Sequence, residues 1–278
     1  MEPYQDKGQL TKLLNEYRSY KATAQFLGVN KKTIIAWAKK FGLQSVGTQG
    51  ARRHKVNEHF FDNIDTEEKA YWLGFLMADG CVYHGSDKNS YRLQINLAAS
   101  DIDCLERFNK ALSSDYTIRI VDVQNRKTNK VHTAAQLKIN CTALCKKLIK
   151  HGVVPRKSLI CQAPNIASKL VPHYIRGYFD GNGCITRNKY MKKWSIKIIG
   201  TESTLEFFQA YFDKHEITSA IYDINHSKAK TLEITRKLSI SHFYDCIYNN
   251  ASVFYKRKYK RFLVFKKLLS RQSEMTGQ

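Results

Sequence analysis

The chain has 278 residues, of which 46 are Lys or Arg and 24 are Asp or Glu, giving a formal charge of +22. Hydrophobic residues make up 43% and there are only four prolines, which excludes a disordered polyelectrolyte and leaves material for a sizeable core. The excess positive charge points to a polyanionic partner, nucleic acid before others.

The N-terminus "MEPYQDKGQL" has no apolar signal core, and no apolar run approaches the length of a membrane span. The expectation is a soluble, intracellular protein with no membrane partner. Seven cysteines, an odd number without a CxxC pair, read as structural thiols of a reducing compartment. Cys141 and Cys145 stand at helical spacing with His151 downstream, which falls short of a four-ligand zinc site.

Residues 8–43 read as a small helical unit. In "SYKATAQFLGVNKKTIIAWAKKFGL" one helix starts after Ser19, turns at Leu27-Gly28-Val29, and a second starts at Asn30, a good N-cap. This is the layout of a helix-turn-helix, with Ala24, Leu27, Val29, Ile34 and Trp37 as its core. Lys31, Lys32, Thr33, Ala36, Lys39 and Lys40 then lie on or beside the exposed face of the second helix, where a recognition helix meets DNA. The next stretch, "QSVGTQGARRHKVN", is polar and basic at Arg52 and Arg53. It reads as a linker suited to lie along a DNA groove.

The remainder is a duplication with an offset of roughly one hundred residues. "YWLGFLMADGCV" (71–82) matches "YIRGYFDGNGCI" (174–185), and "YRLQINLAASDIDCLERF" (91–108) resembles "WSIKIIGTESTLEFF" (194–208). "LKIN" (137–140) is matched with "LSIS" (238–241), and "PRKS" (155–158) with "KRKY" (256–259), which sets Lys157 opposite Lys258. Each half predicts helix, strand, strand, helix, strand, strand, helix. Tyr91, Leu93, Ile95 and Leu97 alternate with Arg92, Gln94 and Asn96. Tyr116, Ile118 and Ile120 alternate with Thr117 and Arg119, and Leu137 and Ile139 with Gln136 and Lys138. Trp194, Ile196 and Ile198 do so with Ser195 and Lys197. The apolar sides are expected to pack on helices near 101–113 and 201–215. The polar sides offer groups for base edges and phosphates. Basic loops at 84–90, 124–130, 186–193 and 225–230 suit a phosphate track whose affinity falls steeply with salt.

In the first and fourth blocks of each half lies the candidate chemistry. Gly74 and Ala78, like Gly177 and Gly181, are four apart, so each helix presents a strip of small residues and two such helices can meet backbone to backbone. Asp79 ends its helix next to Gly80, read as a left-handed C-terminal position. A carboxylate there opposes the helix dipole at a cost of roughly 0.3–1 kcal/mol, which a bound divalent cation would offset.

"WLGFLMADG" and "IRGYFDGNG" resemble the two motifs of a single-chain LAGLIDADG homing endonuclease. The resemblance covers about residues 68–262, including the strand order and the PRKS and RKY segments. The helix-turn-helix lies outside it, although phage and bacterial members carry such additions. It implies an α/β (α+β) fold of two pseudo-symmetric αββαββα halves, 67–165 and 166–278, with the motif helices at their interface and a saddle of sheets over DNA. A helix-turn-helix at 1–45 and a basic linker at 46–66 precede them. It further implies a monomer, encoded in a mobile element such as an intron, that cleaves both strands of a long asymmetric double-stranded DNA target. Mg²⁺, or Mn²⁺ or Ca²⁺ in its place, would sit at the motif interface on Asp79 and Asn182, beside Gly80 and Gly183. Lys157 and Lys258 match a basic position of the family that would neutralise charge on the phosphate.

Asn182 departs from the family pattern, which has an acid there. A carboxamide offers a carbonyl oxygen without negative charge. Asp180 stands about 200° away around the helix and is expected to pack or cap rather than substitute, since its counterpart is Met77. Three accounts stay open at this point: a slow or single-strand-nicking enzyme, a substitution introduced to trap uncut DNA, or lost cleavage. Two other functions remain beside the endonuclease, a DNA-binding regulator on the same scaffold and an intron-RNA maturase.

Overall fold

The computed structural model describes residues 2–17, 19–43, 54–84, 90–124, 129–188, 190 and 193–276. The chain divides into two compact units, Met1–Lys55 and Val56–Gln278.

The first unit holds α1 (Lys7–Tyr17), α2 (Tyr20–Phe26) and α3 (Lys31–Lys40). Ser19 caps α2 by accepting from the Ala22 N–H, and Asn30 caps α3 by accepting from the Lys32 N–H. Gly28 occupies the turn at φ +65°, a left-handed conformation that favours glycine. The core is Leu10, Leu14, Ala24, Ile34 and Ala38, with Leu27, Val29 and Trp37 packed against it. The first helix and its two leucines are a contribution that the two-helix reading did not name.

The second unit repeats one sequence of elements. Its first half runs α4 (Glu67–Asp79), β1 (Cys81–His84), β2 (Tyr91–Ala98), α5 (Ile102–Ala111), β3 (Ile118–Gln124), β4 (Val131–Ile139) and α6 (Thr142–Lys150). The second runs α7 (Val171–Asn182), β5 (Gly183–Arg187), β6 (Trp194–Gly200), α8 (Glu202–Asp213), β7 (Ala220–Asp223), β8 (Lys230–Ile234) and α9 (Lys237–Tyr248), followed by α10 (Lys256–Thr276). Each half forms a four-stranded antiparallel sheet, ordered β1-β2-β4-β3 and β5-β6-β8-β7. The period of two puts Leu93, Ile95, Leu137 and Ile139 on the buried face under α5, and Ile196, Ile198, Leu232 and Ile234 on that under α8. This is the expected mixed α/β architecture. No helix among the described residues is long and apolar enough to cross a membrane.

Three sequence expectations are corrected. "LSIS" (238–241) is helical, inside α9; the strand that occupies the place of β4 is β8, so "LKIN" corresponds to "LEIT" at 232–235. Ile120 shares the apolar face with Ala135, yet it is 54% exposed because β3 is an edge strand beyond the cover of the helices. The stretch read as a linker is packed from Val56 onward. Phe61 is fully buried, His151 Nε2 bonds the Phe61 carbonyl, and the Asn57 N–H donates to the Leu112 carbonyl.

α4 and α7 lie together at the centre of this unit. A Cβ on Gly74 would stand 2.0 Å from the Tyr174 carbonyl oxygen, and one on Gly177 would stand 1.9 Å from the Tyr71 carbonyl oxygen. The two helices touch backbone to backbone, which is why every α4 residue from Ala70 to Met77 is buried.

Candidate functional site

The helix contact delivers both motif ends to one place. Asp79 is the last residue of α4 and Asn182 the last of α7. A Cβ on Gly181 would meet Ala78 Cβ at 2.3 Å and Asp79 Cγ and Oδ2 at 3.4 Å, so the carboxylate rests against the residue before Asn182. Both side chains are partly exposed. The Asn182 carboxamide is within hydrogen-bonding reach of the Tyr178 phenol, one turn back.

Gly80 and Gly183 follow directly and are buried, but neither is left-handed: φ is −73° and −99°. The expected conformational reason is therefore replaced by a steric one. A Cβ on Gly80 would stand 2.7 Å from the Leu76 carbonyl oxygen, and one on Gly183 would overlap the Phe179 ring at 2.1 Å.

Lys157 and Lys258 occupy matching places, each at the C-terminal end of the motif helix of its own half. Lys157 Nζ donates to the Ala78 carbonyl at 3.2 Å. Lys258 Nζ donates to the carbonyls of Phe179, Asp180 and Gly181 at 2.7, 2.6 and 3.3 Å. Each ammonium thus satisfies carbonyls that a helix end leaves open and opposes the negative pole of the dipole. Both are nearly buried, at 6% and 8% exposure. Burial lowers the pKa of each, that of Lys258 to about 8 against the pull of Asp180 and Asp79. Burial raises the Asp79 carboxyl above the usual range although Lys258, Lys157 and Arg257 all act to lower it. These lysines are expected at a phosphate; in the structure they hold the ends of the helices that carry Asp79 and Asn182.

Asp180 plays no part at the surface. It is 1% exposed and accepts from Tyr71 Oη at 2.9 Å, Tyr248 Oη at 2.5 Å and the Tyr255 N–H at 2.7 Å. Burial raises its pKa. Arg176, also buried, bonds Glu67 at 2.6 Å and the carbonyls of Val253 and Ile247. Tyr71 and Glu67 belong to the first half, so both clusters tie the halves together. Tyr248→Phe is expected to cost about 1–3 kcal/mol in denaturant melts, because it leaves a buried carboxyl short of a donor.

The site offers one carboxylate and one carboxamide, and among the described residues no group of three or more His, Cys, Asp or Glu is placed to hold a metal. A hard cation that keeps water and takes phosphate oxygens needs only one or two protein oxygens. A carboxyl raised by burial despite three nearby cations gains from one more. One carboxylate and one carboxamide are donors of the kind a single hard cation takes, and they are too poor in charge for two.

The predicted sheet residues divide unevenly. Arg92, Gln94, Asn96, Arg119, Gln136 and Lys138 all lie on the face of the first sheet opposite its core, where Gln136 Nε2 donates to Asn96 Oδ1 at 2.9 Å. Lys197 lies on the matching face of the second sheet and is paired with Glu233 at 3.3 Å. In the first unit Lys31, Lys32 and Lys39 are exposed and Thr33 is half-buried. Arg52 and Arg53 lie outside the described residues, as do 85–89, 125–128, 189 and 191–192 of the basic loops. In the fourth loop Lys230 bonds Glu202 and Asp223. Arg257, which acts on the Asp79 carboxyl, has no signal in the sequence beyond its place beside Lys258, and the Glu67–Arg176 bridge has no local signal.

No family model matches the chain. An uncharacterized protein of Methanocaldococcus jannaschii is 24% identical over 222 residues, 79% of this chain and 70% of that one. The LAGLIDADG homing endonuclease I-GzeII, solved in complex with its DNA target, superposes with a TM-score of 0.52 at 12% identity, covering 74% of this chain and 91% of that one. I-WcaI bound to its DNA recognition sequence gives a TM-score of 0.48 at 13% identity, over 72% and 90% of the respective chains. At these identities the likeness to I-GzeII shows the fold: the second unit has that of the LAGLIDADG homing endonucleases.

Proposed function

We propose that the chain is a site-specific DNA endonuclease of the homing type, hydrolysing phosphodiester bonds with a divalent cation at the junction of the two motif helices. The observation that carries this reading is the meeting of Asp79 with the end of α7 at a partly open site flanked by Lys157 and Lys258. A fold shared with a DNA-bound homing endonuclease and a charge of +22 support a duplex as substrate.

Asp79 and the Asn182 carbonyl would hold Mg²⁺, or Mn²⁺ or Ca²⁺, with Gly80 and Gly183 keeping the backbone close beneath it. The cation would polarise the scissile phosphate and lower the pKa of a bound water. Lys157 and Lys258 fix the helix ends and bring positive charge to a region where the phosphate becomes more negative. The face of the first sheet supplies base contacts, and Lys31, Lys32, Thr33 and Lys39 of a helix-turn-helix lengthen the footprint on a long asymmetric site.

Asn182 favours a second reading, a binder that no longer cuts, or an enzyme that cuts one strand. Incubating the chain with Mg²⁺ and supercoiled plasmids carrying targets enriched by binding separates them. The expected result is nicked circles from the chain as it stands and linear product from Asn182→Asp, which restores the second negative ligand. Tight binding with no cutting by either protein would leave the regulator and overturn the endonuclease.

A further inference from the structure

The two sheets present the same row of positions with opposite chemistry. In the first sheet, the registers Asn96↔Gln136 and Arg119↔Gln136 set Asn96, Gln136 and Arg119 abreast across three strands. In the second, Ile199↔Thr231 and Tyr222↔Thr231 set Ile199, Thr231 and Tyr222 abreast across the corresponding strands. The equivalence is fixed by the pairs Cys81↔Gln94 and Cys184↔Lys197, each two residues before the row. A position-for-position exchange has therefore replaced two carboxamides and a guanidinium by an isoleucine, a threonine and a tyrosine.

This row is not core. Ile199 is 47% exposed and Tyr222 53%, while their neighbours on the other face, Ile198 and Leu232, are fully buried. An isoleucine and a tyrosine standing in solvent on the polar side of a sheet gain nothing for the fold. The Thr231 hydroxyl between them has no partner and is covered, so the row presents methyl and ring surface, with the Tyr222 phenol as its exposed polar group. The adjoining row changes in the same direction. Gln94 and Lys138 sit together in the first sheet, whereas their equivalents Lys197 and Glu233 neutralise one another in an ion pair.

We infer that the second sheet reads thymine by its 5-methyl groups, through Ile199, Thr231 and Tyr222, while the first sheet reads hydrogen-bonding base edges. The inference rests on the reading of the sheets as the duplex-facing surface. In the major groove only thymine carries a methyl group, and apolar side chains are its natural contacts. Asn, Gln and Arg instead match the paired acceptors and donors of adenine and guanine. A recognition site for this chain then has one purine-read arm and one thymine-rich arm, and its polarity orients the protein on the DNA.

Duplexes recovered by the full-length chain from a randomised pool supply the probe. Replacing thymine by uracil removes the methyl group alone. In one arm this should weaken binding by about fourfold for each contacted position, the worth of one buried methylene, and in the other arm it should change nothing. Ile199→Ala should abolish that sensitivity and Asn96→Ala should preserve it; both residues are surface-facing, so thermal melts should match the parent. Duplexes bound equally well with uracil in either arm would overturn the inference and leave the endonuclease standing. So would Ile199→Ala with unchanged affinity and unchanged uracil sensitivity, which would assign the row to a protein partner. Recovery of no duplex at all would overturn both.

Discussion

Gly177→Ala is expected to destabilise the second unit by at least about 3 kcal/mol, read as a lowered midpoint in chemical or thermal unfolding. The added methyl would lie 1.9 Å from the Tyr71 carbonyl oxygen and 2.8 Å from the Phe75 backbone nitrogen. A flexible side chain can swing away from such an overlap, but a helix backbone cannot. The two helices must separate, and the packing that separation undoes is the buried residues of both halves. Overpacking typically costs 1–3 kcal/mol when side chains give way, and rigid backbone places this case at or beyond the upper end. Gly28→Ala is the contrasting control. Its φ of +65° adds strain, yet nothing lies within 4 Å, so a loss near 1 kcal/mol is expected. Equal effects from the two substitutions would mean that the helices are not held at backbone contact.

Asp79→Asn should lower cleavage of a bound target by about 10²–10³ or more without weakening binding. It removes the one carboxylate that the described residues place where the motif ends meet, leaving two carboxamides that cannot bring charge to a hard cation. Without a cation Asp79 opposes an incoming phosphate, so in a cation-free assay its removal leaves affinity unchanged or improved. The comparison therefore separates chemistry from folding and from recognition. Gel shift in a chelator measures recognition, and plasmid relaxation in Mg²⁺ measures chemistry. A variant that still cuts within tenfold of the parent would move the cation away from Asp79.

What the sequence disclosed and what it withheld follow from the range of the interactions. Gly74, Gly177 and Asp79 were legible because small residues four apart and an acid beside a glycine are local patterns with a direct steric meaning. The caps at Ser19 and Asn30 were legible for the same reason. "LSIS" was misplaced because four residues alternating apolar and polar fit one strand turn or the opening of a helix equally well; only the pairing of β8 with β6 decides. Ile120 looked like core because alternation says which face a residue takes, not whether anything covers that face. That Asp180 packs inward was legible from its place around the helix, but its partners and the role of Arg176 were not: those partners lie 109, 68 and 75 residues away, and no spacing along the chain announces them. Phe60 and Phe61 were lost in a stretch whose composition is otherwise that of a connector.

The bond from Tyr71 to Asp180 has no mirror image. The pseudo-equivalent tyrosine, Tyr174, is fully buried with its hydroxyl unmatched, because Met77 stands where the second carboxyl would be. Two copies of the first half docked on each other would bury two such orphan hydroxyls, and two copies of the second would bury each Arg176 against Leu170, where the first half supplies Glu67. Severed between Ile160 and Ile166 and mixed, the fragments should therefore recognise each other in preference to themselves. The twofold of the repeat is thus broken at the contact between its halves, and each half is committed to the other.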